Sequence, residues 1–515
     1  MDRPSNAAEG LSMAPSQTMT ASTASAASAI TLTTIPVEIL RMIFVEFSWY
    51  HNKQADSANH KALCCRSLLA LSKTCRRLCA VAQPFLYYDP ARICLYGNLL
   101  GTSRRFLLLR TLVDRPDLAA CVRRLGPMAR ERCGFEEEEL RFCKATARRL
   151  ELTLPNDPDW NCLDGQTTRS QASSFYSQLF LALAPNVKTF VLELLGTDLA
   201  EGDFQTSFFV LTERLTSLHE AALLPRLGHV QICTNTYGML GQESPVTLAL
   251  PRIAPFMTQL RIQAVVGSAG DDIGPDGEAK CGLPMVPNLR VLELAKGGFE
   301  DTQFPYLLKL ITRCPSLERF RFSADGFINE FGTEHLTPRS FLDALQHVRK
   351  TLRHLHLDFN DASFDLDEHQ EFGALLPTFD RLETLKLDIA AFVFDDMDGE
   401  SLQDNAACLT DILPNSIRHL RLMINHLEHS NLWVQILDLA KAAGAGKFPE
   451  LSQVELCASS SGERMFTDEA FVKIKGWTRK QVTDVRTELA KAAVTFTCMT
   501  GEEYYDEEMP CLVTD

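Results

Sequence analysis

Pairs of histidines stand at two places in the sequence, and such pairs can ligate a metal ion. His426 and His429 flank a glutamate in HLEH, but this is not the H-E-x-x-H order of zinc proteases, and no third ligand is evident. His354 and His356 alternate on a predicted strand and therefore face the same way. For this second pair, partner-contacting or solvated histidines are the commoner interpretation.

Two glycine-rich segments raise the question of phosphate or calcium binding. AGAGK (443–447) lacks the G-x-x-x-x-G-K-[ST] spacing that wraps phosphates. The segment 267–282 carries four acidic residues that would repel phosphate, and their spacing differs from that of an EF-hand. We interpret it as a loop inserted between repeats.

Cysteines supply no catalytic pattern. Cys64 and Cys65 are adjacent, Cys75 and Cys79 are one helical turn apart, and neither pair has the C-x-x-C spacing of metal or redox sites. No Ser/His/Asp or Cys/His set stands in a recognisable motif. The sequence therefore predicts a protein that is not an enzyme, with no catalytic residue, metal or cofactor.

The composition of the chain excludes further classes of protein. The 515 residues include 51 Lys and Arg against 66 Asp and Glu, a net charge of −15, and are 45% hydrophobic. This length exceeds one ordinary domain, unless a domain is joined to an extended array. No apolar run approaches the ~18 residues of a membrane span, and an acidic total argues against nucleic-acid binding. Sixteen scattered cysteines without a secretory signal predict reduced thiols in a cytoplasmic or nuclear protein.

Charge is divided unevenly along the chain. Residues 31–130 contain 15 Lys and Arg against 6 Asp and Glu, a local balance of +9, whereas residues 131–515 carry −23. This asymmetry is typical of two regions with different partners, although two solvated surfaces of unequal composition would produce it as well.

The first ninety residues divide into a tail and a helical module. Residues 1–30 are mostly Ser, Ala, Thr and Met and predict a disordered tail, with a transit peptide as the alternative. At 31–90, Pro36 suits the first position of a helix whose stripe is Ile39, Ile43 and Phe47, with Leu40 and Phe44 beside it. After a polar stretch, a second helix is predicted through residues 68–82, ending at Pro84.

An internal repeat occupies residues 187–457. The degenerate pattern L-x-x-L-x-L recurs nine times at intervals of 28–40 residues, with its clearest copies in NLRVLEL, SLERFRF, TLRHLHL, RLETLKL and SIRHLRL. The last two apolar positions of each copy alternate with polar ones, as in a half-buried strand. Amphipathic helical stretches lie between the strands, for example at 304–314, 338–350 and 431–443. Such units bury a core only when stacked, which predicts an αβ solenoid with a parallel sheet on one curved surface.

The two regions together resemble a known family. Residues 32–87 resemble an F-box in the ordered motifs IPVEIL, LSKTCRRL and AQPFLY, although the spacer 48–67 is long and Tyr87 stands where Trp is frequent. Residues 187–457 resemble the irregular leucine-rich repeats of F-box proteins from lower eukaryotes. The resemblance implies an α plus α/β architecture, in which a small three-helix F-box module precedes a leucine-rich-repeat solenoid with its parallel sheet on the concave face.

By that resemblance, the protein is a substrate-recognition subunit of a Skp–cullin–F-box ubiquitin ligase. The F-box would bind a Skp-type adaptor, and through it a cullin, while the repeats would hold a protein substrate. The expected adaptor-binding residues are Leu32, Ile35, Pro36, Ile39, Ile43, Leu68, Leu71, Cys75, Arg76, Leu78, Pro84 and Leu86. For Pro36, Ile39 and Ile43, burial in the module's own core is an equally open interpretation.

The substrate would meet the outward residues between the last two apolar positions of the strands. These are Arg261, Glu293, Arg321, His356, Lys386, Arg421 and Glu455, flanked by His354, Asp358, Asp388 and His419. Residues 91–186 are predicted to be a helical linker with irregular first repeats, and 461–515 a C-terminal helical cap with an acidic tail. Two alternatives stay open: an F-box scaffold outside any ligase, and a plain repeat protein whose residues 32–87 cap the array.

Overall fold

The computed structural model describes residues 34–48, 58–90, 104–126, 137–150, 179–194, 224–234, 254–263, 285–297, 304–324, 337–359, 372–389, 408–424, 432–458 and 478–500. The predicted tail 1–30, Leu32, the loop 267–282, HLEH and residues 501–515 lie outside these ranges.

The described residues form an α/β fold built on one parallel sheet of eleven strands, arranged in the order of the sequence. The strands are β1 Arg124–Leu125, β2 Thr189–Leu194, β3 His229–Thr234, β4 Gln259–Gln263, β5 Val291–Gly297, β6 Arg319–Ala324, β7 His354–Asp358, β8 Thr384–Asp388, β9 His419–Ile424, β10 Gln453–Ala458 and β11 Thr495–Thr500. Each strand pairs with the next along the chain. The sheet is therefore built by stacking one repeated unit and is not a doubly wound sheet, as the repeat pattern predicts.

Helices precede the sheet and lie between several of its strands. They are α1 Val37–Glu46, α2 Ala58–Ser72, α3 Arg76–Leu86, α4 Arg104–Asp114, α5 Pro116–Ala119, α6 Glu137–Arg149, α7 Phe304–Thr312, α8 Pro338–Leu345, α9 Leu409–Ile412, α10 Leu432–Gly444 and α11 Arg479–Lys491, with 3-10 turns at Gln346–Val348 and Leu376–Thr378. The helices predicted at 304–314, 338–350 and 431–443 are thereby confirmed as α7, α8 and α10.

The apolar triplets of the repeat form the inner side of the sheet. Apart from Leu192, whose side chain lies outside the described set, every member of the nine triplets is at most 5% exposed. Strand register aligns them in columns; for example, Leu355 lies opposite Leu385, and Leu385 opposite Leu420. Burial of these columns against the helices is the main stabilisation available to the array.

Aromatic rings fill the centre of this core. Phe341 of α8 is fully buried, and its ring centroid lies 4.6 Å from that of Phe322 and 5.6 Å from that of Phe320. Phe359, which follows β7, completes the cluster at 6.0 Å. Ring packing therefore joins α8 to β6 and to the residue that follows β7.

Charged residues mark the turns that precede the strands. The carbonyl of Arg290 accepts from the amides of Glu318 and Arg319, and the carbonyl of Glu318 accepts in the same way from the next repeat. The side chains at these positions alternate in sign, with ion pairs Arg290–Glu318 at 3.6 Å and Arg353–Glu383 at 3.1 Å. The alternation places opposite charges at neighbouring repeats, which favours their sequential stacking.

The first three helices enclose a small core of their own. It contains Leu40 and Phe44 of α1, Cys64, Cys65 and Leu68 of α2, and Leu78, Val81, Ala82 and Leu86 of α3. Arg77 of α3 donates to the carbonyl of Ile35 at 2.6 Å and so holds the start of α1. The prediction of one helix through residues 68–82 is wrong: the chain breaks after Ser72, and Cys75 caps α3 by accepting from the amide of Leu78. Pro84 lies within α3 instead of ending it.

The helical module contacts the sheet directly at β1. The carbonyl of Tyr88 accepts from the amides of Arg123 and Arg124, as a preceding strand would. Buried Asp89 lies 3.8 Å from the Arg124 guanidinium, and Tyr87 packs against the core of the module and that of the sheet. These contacts fix the module at the β1 end of the array.

The sheet extends past the nine predicted repeat strands at both ends. β1 precedes them, and β11 follows α11 at the other end, where the sequence analysis expects only helix up to residue 496. Phe496 and Cys498 of β11 are buried beside Val454 and Leu456 of β10. Among the described residues, no helix combines the length and apolar character needed to cross a membrane.

Candidate functional site

The seven predicted substrate-binding residues form one continuous row. Strand register places Arg261 opposite Glu293, Glu293 opposite Arg321, and Arg321 opposite His356. The row continues through Lys386, Arg421 and Glu455 on β8, β9 and β10. We call this row the outward ladder. It crosses seven strands, which lie ~4.8 Å apart, on the face opposite the apolar core.

Ion pairs occupy the two ends of the outward ladder. Arg261 Nε lies 3.8 Å from the Glu293 carboxylate, and Arg421 Nε donates to Glu455 Oε2. Glu455 also accepts from the Gln453 amide on its own strand. Glu293 is only 3% exposed, so its carboxylate lies beneath its neighbours and is less accessible to a partner than the alternating pattern suggests.

The centre of the ladder is cationic. Four successive positions, on β6 to β9, hold Arg321, His356, Lys386 and Arg421, and none of them is acidic. We call these four residues the cationic stretch. Burial lowers the pKa of His356 well below its usual value, and the charges of Arg321, Lys386 and Arg421 lower it further. The imidazole is therefore neutral at pH 7.

The flanking residues that the sequence singled out divide into two kinds. Asp358 and Asp388, at the carboxyl ends of β7 and β8, are 1% exposed, and Asp358 accepts from the Ser323 hydroxyl at 3.0 Å. His354 and His419 stand at the opposite ends of their strands and reach the surface. Of the flanking residues, those on the amino-terminal side of the ladder are thus the ones open to a partner.

A groove of about 250 Å³ opens on this amino-terminal side. Its lining consists of Thr384, Lys386, His419, Leu420, Arg421, Gln453 and Glu455. Two cations, one carboxylate and several neutral polar groups surround it, which suits the polar side chains of a peptide better than an apolar ligand.

His229, at the start of β3, makes the stability of the array dependent on pH. Burial, with Arg124 and Arg261 nearby, lowers its pKa from 6.5 to about 4; Thr189 and Gln259 face it on the neighbouring strands. The unfolded chain therefore binds the proton more readily, so this contribution is complete above pH 6.5 and is lost as the pH falls towards 4.

We expect the free energy of unfolding to drop by about 3 kcal/mol through His229 over that range. The shifts of His354 and His356 act in the same direction. Urea unfolding of the wild type and of His229→Gln at pH 7 and pH 4.5 measures the effect, since glutamine has no titratable proton. An identical pH dependence in both proteins would contradict this assignment.

The module presents an apolar surface on α1. Ile39, Met42 and Ile43 are 45%, 66% and 38% exposed, while Leu40 and Phe44 of the same helix point into the core. Leu63 of α2 is a further exposed apolar side chain, at 62%. The core contacts of α1 are thus made by Leu40 and Phe44. Ile39 and Ile43 are exposed and do not form part of the module's own core.

The other expected adaptor-binding residues are distributed unequally. Pro36, Arg76 and Pro84 are exposed, and Ile35, Leu71 and Cys75 are partly buried. Leu68, Leu78 and Leu86 are at most 3% exposed and belong to the core that holds the three helices together, so their side chains are not open to a partner. Met42 and Leu63 are absent from the sequence-based set; for Met42 the available signal was its i, i+3 spacing from Ile39.

The segments considered for chemistry have structural roles where they are described. AGAGK ends α10: Gly446 has a φ of 83°, and the amides of Lys447 and Gly446 donate to the carbonyls of Ala442 and Ala443, as in a Schellman cap. Burial raises the pKa of the Cys314 thiol to about 12, which keeps it protonated and unreactive. Within the described ranges, no group of three His, Cys, Asp or Glu side chains could hold a metal ion.

Comparison with known proteins adds no relative. No protein-family model matches the chain, and no curated protein matches it.

Proposed function

We propose that this chain is the substrate-recognition subunit of a Skp–cullin–F-box ubiquitin ligase. The helical module binds a Skp-type adaptor, and the outward ladder binds a protein substrate. The observation that carries the proposal is the exposed apolar face of α1, formed by Ile39, Met42 and Ile43 on a module that already has its own core.

An apolar face of this kind favours a protein partner. Three large apolar side chains at i, i+3 and i+4 lie on one side of a ten-residue helix and form a contiguous stripe. Exposed apolar clusters rimmed by polar residues mark protein interfaces, and Glu38, Arg41 and Glu46 of the same helix are exposed. The stripe therefore suits a helix or groove of the adaptor.

Charge supports the same assignment. Residues 31–130 carry +9, and Arg41, Arg66, Lys73 and Arg76 are exposed on the module. The resemblance implies an acidic adaptor, so the opposite charges would accelerate and orient encounter.

The repeat array is suited to binding a protein substrate. We interpret it as a leucine-rich-repeat solenoid whose outward ladder lies on the concave face, as the resemblance implies. A row of long, charged and partly buried side chains over seven strands offers a surface wide enough for an extended peptide. Its attachment to the module through Tyr88 and Asp89 would hold a bound substrate at a defined position from the adaptor.

A titration of the full chain with a Skp-type adaptor tests the proposal. We expect a 1:1 complex with a dissociation constant below ~1 µM, the range of specific interfaces of standard size. Absence of binding to several adaptors of this type would remove the adaptor-docking claim. The plain repeat protein would then be the better account of residues 32–87.

A further inference from the structure

The sheet of the described residues ends at β11. This strand pairs with β10 in parallel over six residues, and among the described residues no strand pairs with its other side. The N–H of Thr495 donates to the carbonyl of Ser452, the residue before β10, so Thr495 and Thr497 direct their main-chain groups towards β10. The N–H and carbonyl of Phe496 therefore point away from the sheet.

Several contacts fix β11 in this position. Helix α11 ends at Ala493, which has a φ of 58°, and the amide of Val494 donates to the carbonyl of Leu489 at 2.9 Å. Phe496 and Cys498, which are 6% and 8% exposed, belong to the core of the array. The outer edge of β11 is thus a regular extended strand, the geometry to which a further strand can be added.

The residues of β11 favour such an addition. TFTCMT contains no charged residue and no proline, which commonly protect the edge of a sheet from pairing with another chain. Thr497 lies on the outward face opposite Glu455, and its Oγ1 is buried without a hydrogen-bond partner among the described residues. A second strand that brings a partner for this hydroxyl would remove the cost of leaving it unpaired.

A second copy of β11 complements these features. In an antiparallel pair about a two-fold axis, Thr497 lies opposite Thr497 of the second copy, with the two Cα atoms ~4.5 Å apart. Rotation about χ1 then allows a hydrogen bond between the two hydroxyls. Phe496 lies opposite Cys498 of the second copy on the inner side, so apolar side chains meet across the axis. Since neither strand is charged, no like charges face each other.

The other end of the array is already covered. The carbonyl of Tyr88 accepts from the amides of Arg123 and Arg124 there, as a preceding strand would. A second copy therefore cannot continue the sheet from β11 to β1 in head-to-tail order, and pairing of β11 with β11 closes at two copies.

We infer that β11 is a dimerisation strand through which two copies of this chain join their sheets in antiparallel order. The inference does not rest on the proposed function, because β11 and the helical module lie at opposite ends of the array. Two paired strands make a small contact, so we expect reversible association with a dissociation constant on the order of 100 µM and a monomer in dilute solution.

Sedimentation equilibrium of the full chain tests the inference. Between ~5 and ~300 µM protein, the weight-average mass should rise from the 57.5 kDa of one chain towards twice that value. Ile39→Asp with Ile43→Asp should associate like the wild type, which separates this contact from the apolar face of α1. The mass of a single chain at ~300 µM would overturn the inference.

Thr497→Lys tests the position of the contact. Two lysines would face each other across the axis, so association should weaken about tenfold or more. Within its own chain the lysine lies opposite Glu455, so the circular dichroism spectrum should not change. The matched control, Thr495→Lys, adds the same charge to the same face of β11 but keeps the two lysines about 13 Å apart, and it should associate like the wild type. Undiminished association of Thr497→Lys would also overturn the inference.

Oxidative cross-linking tests the antiparallel register. Thr497→Cys, oxidised with diamide at ~100 µM protein, should form a disulfide between the two introduced thiols, because Cα atoms ~4.5 Å apart suit such a bond. Mass spectrometry of the dimer band from a non-reducing gel identifies it. The control is Thr312→Cys on α7, an exposed threonine between β5 and β6, which should form no such link. Absence of the disulfide in Thr497→Cys would contradict the pairing.

Discussion

Replacement of Phe341 by alanine is expected to lower the free energy of unfolding by about 3–5 kcal/mol, the largest stability effect we predict for one side chain. Phe341 is fully buried, and its ring packs on Phe320, Phe322 and Phe359. Its removal loses apolar burial and leaves a cavity among rings that cannot all move inwards. Urea unfolding followed by circular dichroism measures the change.

Two variants serve as controls for Phe341→Ala. Phe341→Leu retains most of the volume and should cost less than about half as much. Phe256→Ala removes the same group from a side chain that is 58% exposed and should change stability by less than about 0.5 kcal/mol. If Phe256→Ala destabilised the protein as much as Phe341→Ala, the assignment of the core would be wrong.

Replacement of Ile39 and Ile43 together by aspartate is expected to weaken adaptor binding by about 1,000-fold. Apolar burial of two isoleucines contributes about 1.5–3 kcal/mol each, and an unpaired carboxylate buried in the interface opposes binding further. A loss of at least about 4 kcal/mol corresponds to that factor. Isothermal titration of the adaptor into each purified chain measures it.

The matched control introduces two aspartates at exposed apolar positions outside the helical module. Phe256 and Met285 are 58% and 47% exposed, and they precede β4 and β5, outside the helical module. Phe256→Asp with Met285→Asp should leave the adaptor affinity unchanged. The Ile39/Ile43 variant should unfold at nearly the wild-type temperature, because Leu40 and Phe44 supply the core contacts of α1. Wild-type affinity for the adaptor in that variant would exclude this face as the docking site.

The sheet was the most predictable part of the fold. Each triplet combines alternation with a fixed place in a repeat, and nine copies of one weak pattern reinforce each other. β11 was missed because the TFTCMT of residues 495–500 intersperses Thr with apolar residues without matching the leucine pattern of the repeat, and directly follows the amphipathic helix α11. A strand at the edge of the array has one neighbour, so fewer of its side chains need to be apolar.

The helical module shows a different limit. Ile39 with Ile43 and Leu40 with Phe44 are neighbouring apolar stripes on one helix, and periodicity cannot say which is buried. Packing against α3 decides it: Phe44 shares a core with Leu78 and Val81, and its ring lies 6.3 Å from that of Phe85. The break between α2 and α3 was missed because no Gly or Pro marks it, and Cys75 is an unusual N-cap.

The outward ladder was predicted in full as a set, since a period of two determines which residues share a face. The accessibility of each member was not predictable. Glu293 is covered in the sheet, and Arg421 is held by Glu455, because long side chains lie across the neighbouring strands. Only the register of the strands, which no single repeat encodes, brings these pairs together.

The molar mass of a reconstituted complex shows whether the chain joins a ubiquitin ligase, as we propose. The full chain, a Skp-type adaptor and the amino-terminal domain of a cullin are mixed and measured by size-exclusion chromatography with light scattering. We expect one complex with the mass of a 1:1:1 assembly, and its loss on replacing Ile39 and Ile43 by aspartate. A chain–adaptor complex that excludes the cullin would favour a scaffold outside the ligase, and a chain that elutes alone would rule out the proposed function.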